Sequence, residues 1–249
     1  MALAGTLDRM APERTLSGRR IYVFMAALFV ALSVVGFGQK SSAILAGALP
    51  VPPPVIHIHA AMMVAWLALL LTQTLLMANG RPATHKRLGL IGLALGPCLV
   101  VGMIAATIWK FGDSIEHGAN GPAANVLLLQ IRALFYFTLF FAWGVLARRS
   151  APETHKRMMI LATLVLIPAA LTRMTWLPSR FPQTADIVHV YMLMLLLPAL
   201  VHDVVRRGRP HPAYVAGIAA LLPMLVATHF LWDSPWWREM APRLMGTGF

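Results

Sequence analysis

The chain has 249 residues, 58% of them hydrophobic and 12% charged, with a mean hydropathy of +0.69. A soluble domain is nearer half apolar and a quarter charged, so too little polar surface exists here to cover a water-soluble globule. The net charge of +12 does not point to nucleic acid, because Lys and Arg sit at the ends of apolar runs and not on one amphipathic face. Cation clusters of that kind set membrane topology. The single cysteine, Cys98, rules out an intrachain disulfide and a Cys-based metal site, and its apolar run predicts a small buried side chain.

Spanning a bilayer takes ~20 mostly apolar residues. In chain order the sequence predicts spans at 20–37, 55–78, 88–109, 124–147, 157–174, 187–205 and 212–232. Residues 1–19 form a basic tail before them and 233–249 a Trp-rich tail after them. The first span follows Arg19 and Arg20 as a signal peptide would, but no cleavage pattern accompanies it. The fifth span is the weakest, being short and interrupted by Pro168. Fourteen of the 21 Lys and Arg fall in the leading tail and in the links after spans two, four and six. The positive-inside rule places those links in the cytoplasm, with the N-terminus in and the C-terminus out. Trp109, Trp176, Trp232, Trp236 and Trp237 gather at the opposite boundary, as an aromatic belt would. The expected fold is all-α: a polytopic bundle of seven helices in an inner membrane, three tandem hairpins after a solitary first helix.

The chain repeats itself. Pro82-Ala83-Thr84-His85-Lys86-Arg87 recurs as Pro152-Glu153-Thr154-His155-Lys156-Arg157, and Arg209-Pro210-His211-Pro212 is a weaker echo. Each copy opens a helix, and Thr84 and Thr154 are expected as N-caps. Cations in a first helical turn oppose the helix dipole. Attraction to anionic lipid at the cytoplasmic face is the expected offset, at ~1 kcal/mol per Lys or Arg. The parallel sense of the repeat weakens an alternating-access reading without removing it.

Ionisable and polar groups at membrane depth are functional by default. On the second helix His59, Met62, Met63, Trp66, Leu70, Gln73 and Met77 share one face, predicted to point into the bundle. His57 points the other way. On the fourth helix Asn125, Leu129, Arg132, Tyr136, Phe140 and Trp143 form a matching stripe. Arg132 lies ~12 Å inside its predicted span and needs an anionic partner, yet the spans offer only Asp186 and Asp203, with no Glu. Arg173 closes the fifth span on the same outer side. His59 and His189 are expected at similar depth in the outer half. Facing imidazoles of that kind ligate haem b axially, and Arg132 and Arg173 would suit its propionates. The same outer residues, with Tyr136, Trp66 and Gln73, would also serve a quinone, copper or a lipid headgroup. Equally, Arg132 satisfied by backbone carbonyls and Asp186 needs no ligand at all. His85, His155 and His202 form a cytoplasmic-side cluster able to meet a proton, a metal or an anion. The seventh span has no lysine for a retinal Schiff base, and Walker, G-x-S-x-G and H-E-x-x-H motifs are absent from the sequence.

The run His59, Trp66, Gln73, Arg81, His85-Lys86-Arg87-Leu88-Gly89, with its second copy at Glu153 to Met158, resembles a family of uncharacterised bacterial multi-pass inner-membrane proteins. The likeness covers about residues 55–205 and implies no particular activity. The histidines on separate helices also resemble cytochrome b561-type bundles in architecture, although the regular two-His-per-haem spacing is missing. Two functions stand at this point. One is a redox subunit that binds haem b or meets a quinone in the outer half. The other is a non-enzymatic transporter of a small solute or metal, or a membrane assembly factor.

Overall fold

The computed structural model describes residues 2–246, with side chains from Gly18 onward. Arg9 and Arg14 of the basic tail, and residues 247–249 of the Trp-rich tail, lie outside the described side chains. The helices are α1 (Ala2–Leu45), α2 (Pro54–Ala78), α3 (Pro82–Glu116), α4 (Asn120–Ala147), α5 (Pro152–Leu164), α6 (Pro168–Leu171), α7 (Asp186–Met194), α8 (Leu197–Arg207), α9 (Pro212–Leu231) and α10 (Pro235–Leu244). Among the described residues there is no strand, and seven segments are long and apolar enough to span a membrane. The fifth joins α5 to α6 as Pro152–Leu171, and the sixth joins α7 to α8 as Asp186–Arg207. This is an integral membrane bundle, and its spans overlie all seven predicted from the sequence.

Proline starts the helices. Pro82, Pro152, Pro212 and Pro235 each occupy the first turn, where the missing N–H is not needed and the fixed φ is already helical. The helices of the repeated motif therefore begin three residues earlier than expected. Arg81 and Ala151 hold the cap positions without a side-chain hydrogen bond, and Thr84 and Thr154 fall inside the first turn. The weaker third copy does cap: the His211 ring accepts from the Ala213 N–H.

The weakest predicted span sits at the centre. In the Pro152–Leu171 segment 72% of the apolar window is buried inside the protein, against 17–33% for the other six. Met158, Ile160, Leu161, Ala162, Thr163 and Leu164 are all inaccessible. Helices α1, α4 and α9 pack on α5, and α1 and α7 pack on α6. Surrounded by protein, this segment needs neither full bilayer length nor a lipid-grade surface, which explains its modest hydropathy. Pro168 divides α5 from α6. Gly36 lets α1 lie directly on the Ala170 backbone; any Cβ there would collide with it.

Interhelical contacts sort to the two ends. At the basic end Arg19 donates to the Met77 carbonyl and Arg157 meets Asp203. At the other end Arg173 lies over the Phe37 ring, and Asp186 meets His229. The segment after the last span is no loose tail. Ser234 caps α10, and Trp237 is buried, donating to the Ala124 carbonyl at 2.7 Å. A second small core of Phe111, Ala124, Leu127, Leu128, Trp237 and Ala241 fastens α10 to α4. Trp237 is therefore an anchor and not part of an aromatic belt. Cys98, expected buried, is exposed on the lipid-facing side of α3.

Candidate functional site

The α2 stripe does face the bundle. Trp66 and Leu70 are buried and His59, Met62, Met63, Gln73 and Met77 are half-buried, while Ile58, Val64 and Leu75 are exposed. Trp66 is a structural tie: its indole N–H donates to Thr163 Oγ1 at 3.0 Å, and its ring meets Phe137 and Phe141 edge-on. Tyr136 is another. Its hydroxyl donates to the Ala220 carbonyl at 2.6 Å, beside the carbonyl that Pro223 leaves without its helical donor. Neighbouring side chains commonly satisfy membrane helices in this way.

The half away from the basic end holds Arg132, with 1% of its surface accessible. It begins 12 residues into α4, ~18 Å along the helix axis, and so lies near the helix midpoint, deeper than the sequence indicated. Its Nη1 donates to His189 Nε2, and its Nε has no hydrogen-bond partner. No carboxylate lies within ion-pair distance of it among the described residues. Asp186, the acid nearest in sequence to His189, pairs with His229 instead, at 3.0 Å. Asp186 and His229 line an open cleft of about 650 Å³ together with Arg180, Gln183, Thr184 and Trp232. His189 is one turn of α7 beyond Asp186, so the arginine lies beneath the cleft.

Haem b does not fit here. The His189 nitrogen that would ligate iron already accepts a hydrogen bond from Arg132. His59 sits over Gly102 of α3 beside Met62. Arg173 stays at the surface, donating to the Ala169 carbonyl and lying 4.5 Å from the Phe37 ring centre. Among the described residues no three His, Cys, Asp or Glu side chains gather as a metal site.

The basic end is built differently. Arg157, 2% accessible, meets Asp203, 1% accessible, through two parallel bonds, one of them Nε to Oδ2 at 2.9 Å. Arg157 Nη1 also donates to Glu153 Oε2 at 2.7 Å, and the Tyr214 ring lies 5.5 Å from its guanidinium carbon. Asp203 accepts from the His211 backbone N–H as well. Burial, together with the nearby Arg157 and Arg207 charges, holds the His211 imidazole below its ordinary pKa. The second copy of the basic motif is thus met by two acids, the buried Asp203 and the exposed Glu153. The sequence signal was Glu153, which takes the place of Ala83 in the first copy; Arg87, the counterpart of Arg157, is exposed. Of the expected cytoplasmic-side cluster, His85 and His155 are brought together, with ring centres 6.4 Å apart. His202 goes elsewhere, 3.9 Å from Asp203.

No protein-family model, curated protein or solved structure matches this chain. The site must be read from its own chemistry.

Proposed function

We propose that the protein is an inner-membrane component that binds the head group of a quinone in the half of the bundle away from the cytoplasm. One observation carries the reading. Arg132 is buried at mid-helix with a free Nε–H and no carboxylate, against a neutral-type partner, His189. A buried cation without an anion is expensive in lipid, several kcal/mol after relaxation, and is retained where a ligand supplies the missing acceptor. A quinone carbonyl is such an acceptor and arrives through the bilayer. The Arg132 Nε–H donates to the carbonyl oxygen, and its charge favours the more electron-rich form of the ring. His189, hydrogen-bonded to the same guanidinium, is placed to exchange a proton with the cleft at Asp186 and His229. Trp66 and Gln73 face the bundle from α2 but belong to its packing and to its basic end.

The test is direct binding in nanodiscs. A short-chain ubiquinone should quench tryptophan fluorescence saturably, and Arg132→Gln should weaken that binding at least tenfold. Unsaturable quenching in the wild type, or unchanged affinity in both Arg132→Gln and His189→Gln, overturns the reading.

A further inference from the structure

His85 and His155 belong to the two copies of the repeated motif, seventy residues apart, yet their rings meet at the basic end with centres 6.4 Å apart and planes at 78°. That spacing and angle are an edge contact between the rings, too wide for a direct nitrogen-to-nitrogen hydrogen bond. An N–H···N bond of ~2.9 Å, plus about an ångström from each nitrogen to its ring centre, gives only ~5 Å. Two metal–nitrogen bonds of ~2.0–2.1 Å with the same ring offsets give ~6.3 Å. The observed separation of the ring centres matches one ion held between two ring nitrogens.

Each ring is prepared for that role. His155 Nδ1 donates to the Gly144 carbonyl at 2.8 Å. A carbonyl only accepts, so Nδ1 carries the proton and Nε2 keeps its lone pair, the arrangement that fixes ligating histidines. Gly144 makes the bond possible: a side chain there would run into Met158 and Met159, holding α4 off α5. His85 lies against the Gln73 backbone, and its Nδ1 is buried without a hydrogen-bond partner. Gln73 Oε1 is buried and unpartnered too, while the Gln73 amide nitrogen lies 3.5 Å from where a Cβ on Gly89 would stand. Two adjoining residues thus each keep a buried acceptor without a partner, and such atoms call for one.

The donor set selects the ion. Two neutral imidazoles are present, with Met158 and Met159 packed beside Gly144. Among the described residues no carboxylate or thiolate joins the pair, and Lys86 and Arg148 lie in the vicinity. Zinc requires four ligands, and a divalent ion gains little where the neighbouring charges are positive. A soft monovalent ion accepts two nitrogens and tolerates thioether surroundings. We infer that His85 and His155 together form a two-coordinate site for a soft monovalent metal ion, copper(I), at the basic end of the bundle. This site is separate from the Arg132 pocket and does not depend on it.

The experiment uses the full chain in detergent micelles, anaerobically, with copper(I) offered against a chromogenic chelator. One equivalent should be retained, and its absorption edge should show two-coordinate nitrogen ligation. His85→Ala and His155→Ala should each reduce retention at least tenfold, and His85→Met should restore it, since a thioether still binds copper(I). Zinc(II) should not displace the ion. Because the wild-type spectrum needs no variant to fold, absent uptake overturns the site directly. So does uptake unaffected by either alanine, or equal retention of zinc(II).

Discussion

Two buried arginines divide the molecule. Arg157 and Arg132 are almost equally inaccessible, yet one is surrounded by Asp203, Glu153 and an aromatic face and the other by a single imidazole. At the basic end every strong charge taken out of solvent brings an opposite charge with it, and the network links α5, α8 and the entry to α9. That region is built to hold the central helix in place. In the opposite half a charge of the same kind is left short of an acceptor beneath an open cleft. The difference teaches that equal burial can hide unequal satisfaction: one guanidinium has its acids and the other has none within ion-pair distance among the described residues.

The comparison breaks most visibly at Asp203. Asp203→Ala takes from Arg157 its buried partner and leaves only the exposed Glu153, and is expected to lower stability by about 3 kcal/mol, read as a shift in the SDS-unfolding midpoint. Replacing both partners, Arg157→Met with Asp203→Leu, should recover most of that loss, because no lone charge remains. At the other site removal should go the opposite way. Arg132→Met leaves no carboxylate behind and relieves an uncompensated charge, so stability should hold or rise, by up to about 1–4 kcal/mol, while quinone binding disappears. A large destabilisation in Arg132→Met would show that it, too, is structural.

Much of this fold was legible because lipid imposes a simple code. Apolar length gave all seven spans, and cation placement gave the grouping of links. The α2 face emerged correctly from helical period, since Ile58 and Val64 are exposed and Trp66 buried. What the code does not contain is lateral order. Nothing in residues 152–171 announces a central helix except its poor hydropathy, which reads as weakness when lipid is assumed to be the neighbour. The pairing of His85 with His155, and of Arg157 with Asp203, depends on which helices adjoin, and tandem hairpins leave that open. The sequence placed His59 and His189 at matching depth, but depth is not proximity: His189 turned to Arg132 and His59 to α3. Helix α10 was hidden because ten residues with two prolines and three charges among them carry no span signal; Ser234-Pro235 was its mark.

A smaller effect sharpens the role of the central helix. Thr163 accepts from the Trp66 indole and donates to the Met159 carbonyl, tying α2 to α5 at mid-bundle. Thr163→Val keeps the shape and strands the indole N–H, for an expected loss of about 1–3 kcal/mol. Binding at the proposed copper(I) and quinone sites should persist in it, since neither proposal uses this bond. Equal loss at both sites would mean that the two halves are less independent than their electrostatics imply.

The smallest effect concerns how α10 is held to the half away from the basic end. Asp233 stands at a left-handed φ of 58°, a conformation that Asp and Asn tolerate better than most residues. Its carboxylate accepts from Arg238 and from Asn125 Nδ2, and its own N–H donates to Asn125 Oδ1. Arg238 foremost, then Asn125, hold this carboxyl below the usual carboxylate range. A depressed pKa contributes stability that is fully present above the unfolded value, ~3.9, and is lost as pH falls through the folded value. Below about pH 4 α10 should therefore loosen from α4, with faster amide exchange at Trp237 and its neighbours and no change in the spans. The group is half exposed, so the effect is slight. Asp233→Asn keeps the left-handed turn and an acceptor for Asn125 but removes the charge, and its α10 should exchange at a rate nearly independent of pH after correction for intrinsic chemistry. If wild type and Asp233→Asn loosen together, the acid response belongs to another carboxylate, with Asp186 at the rim of the cleft the next to examine.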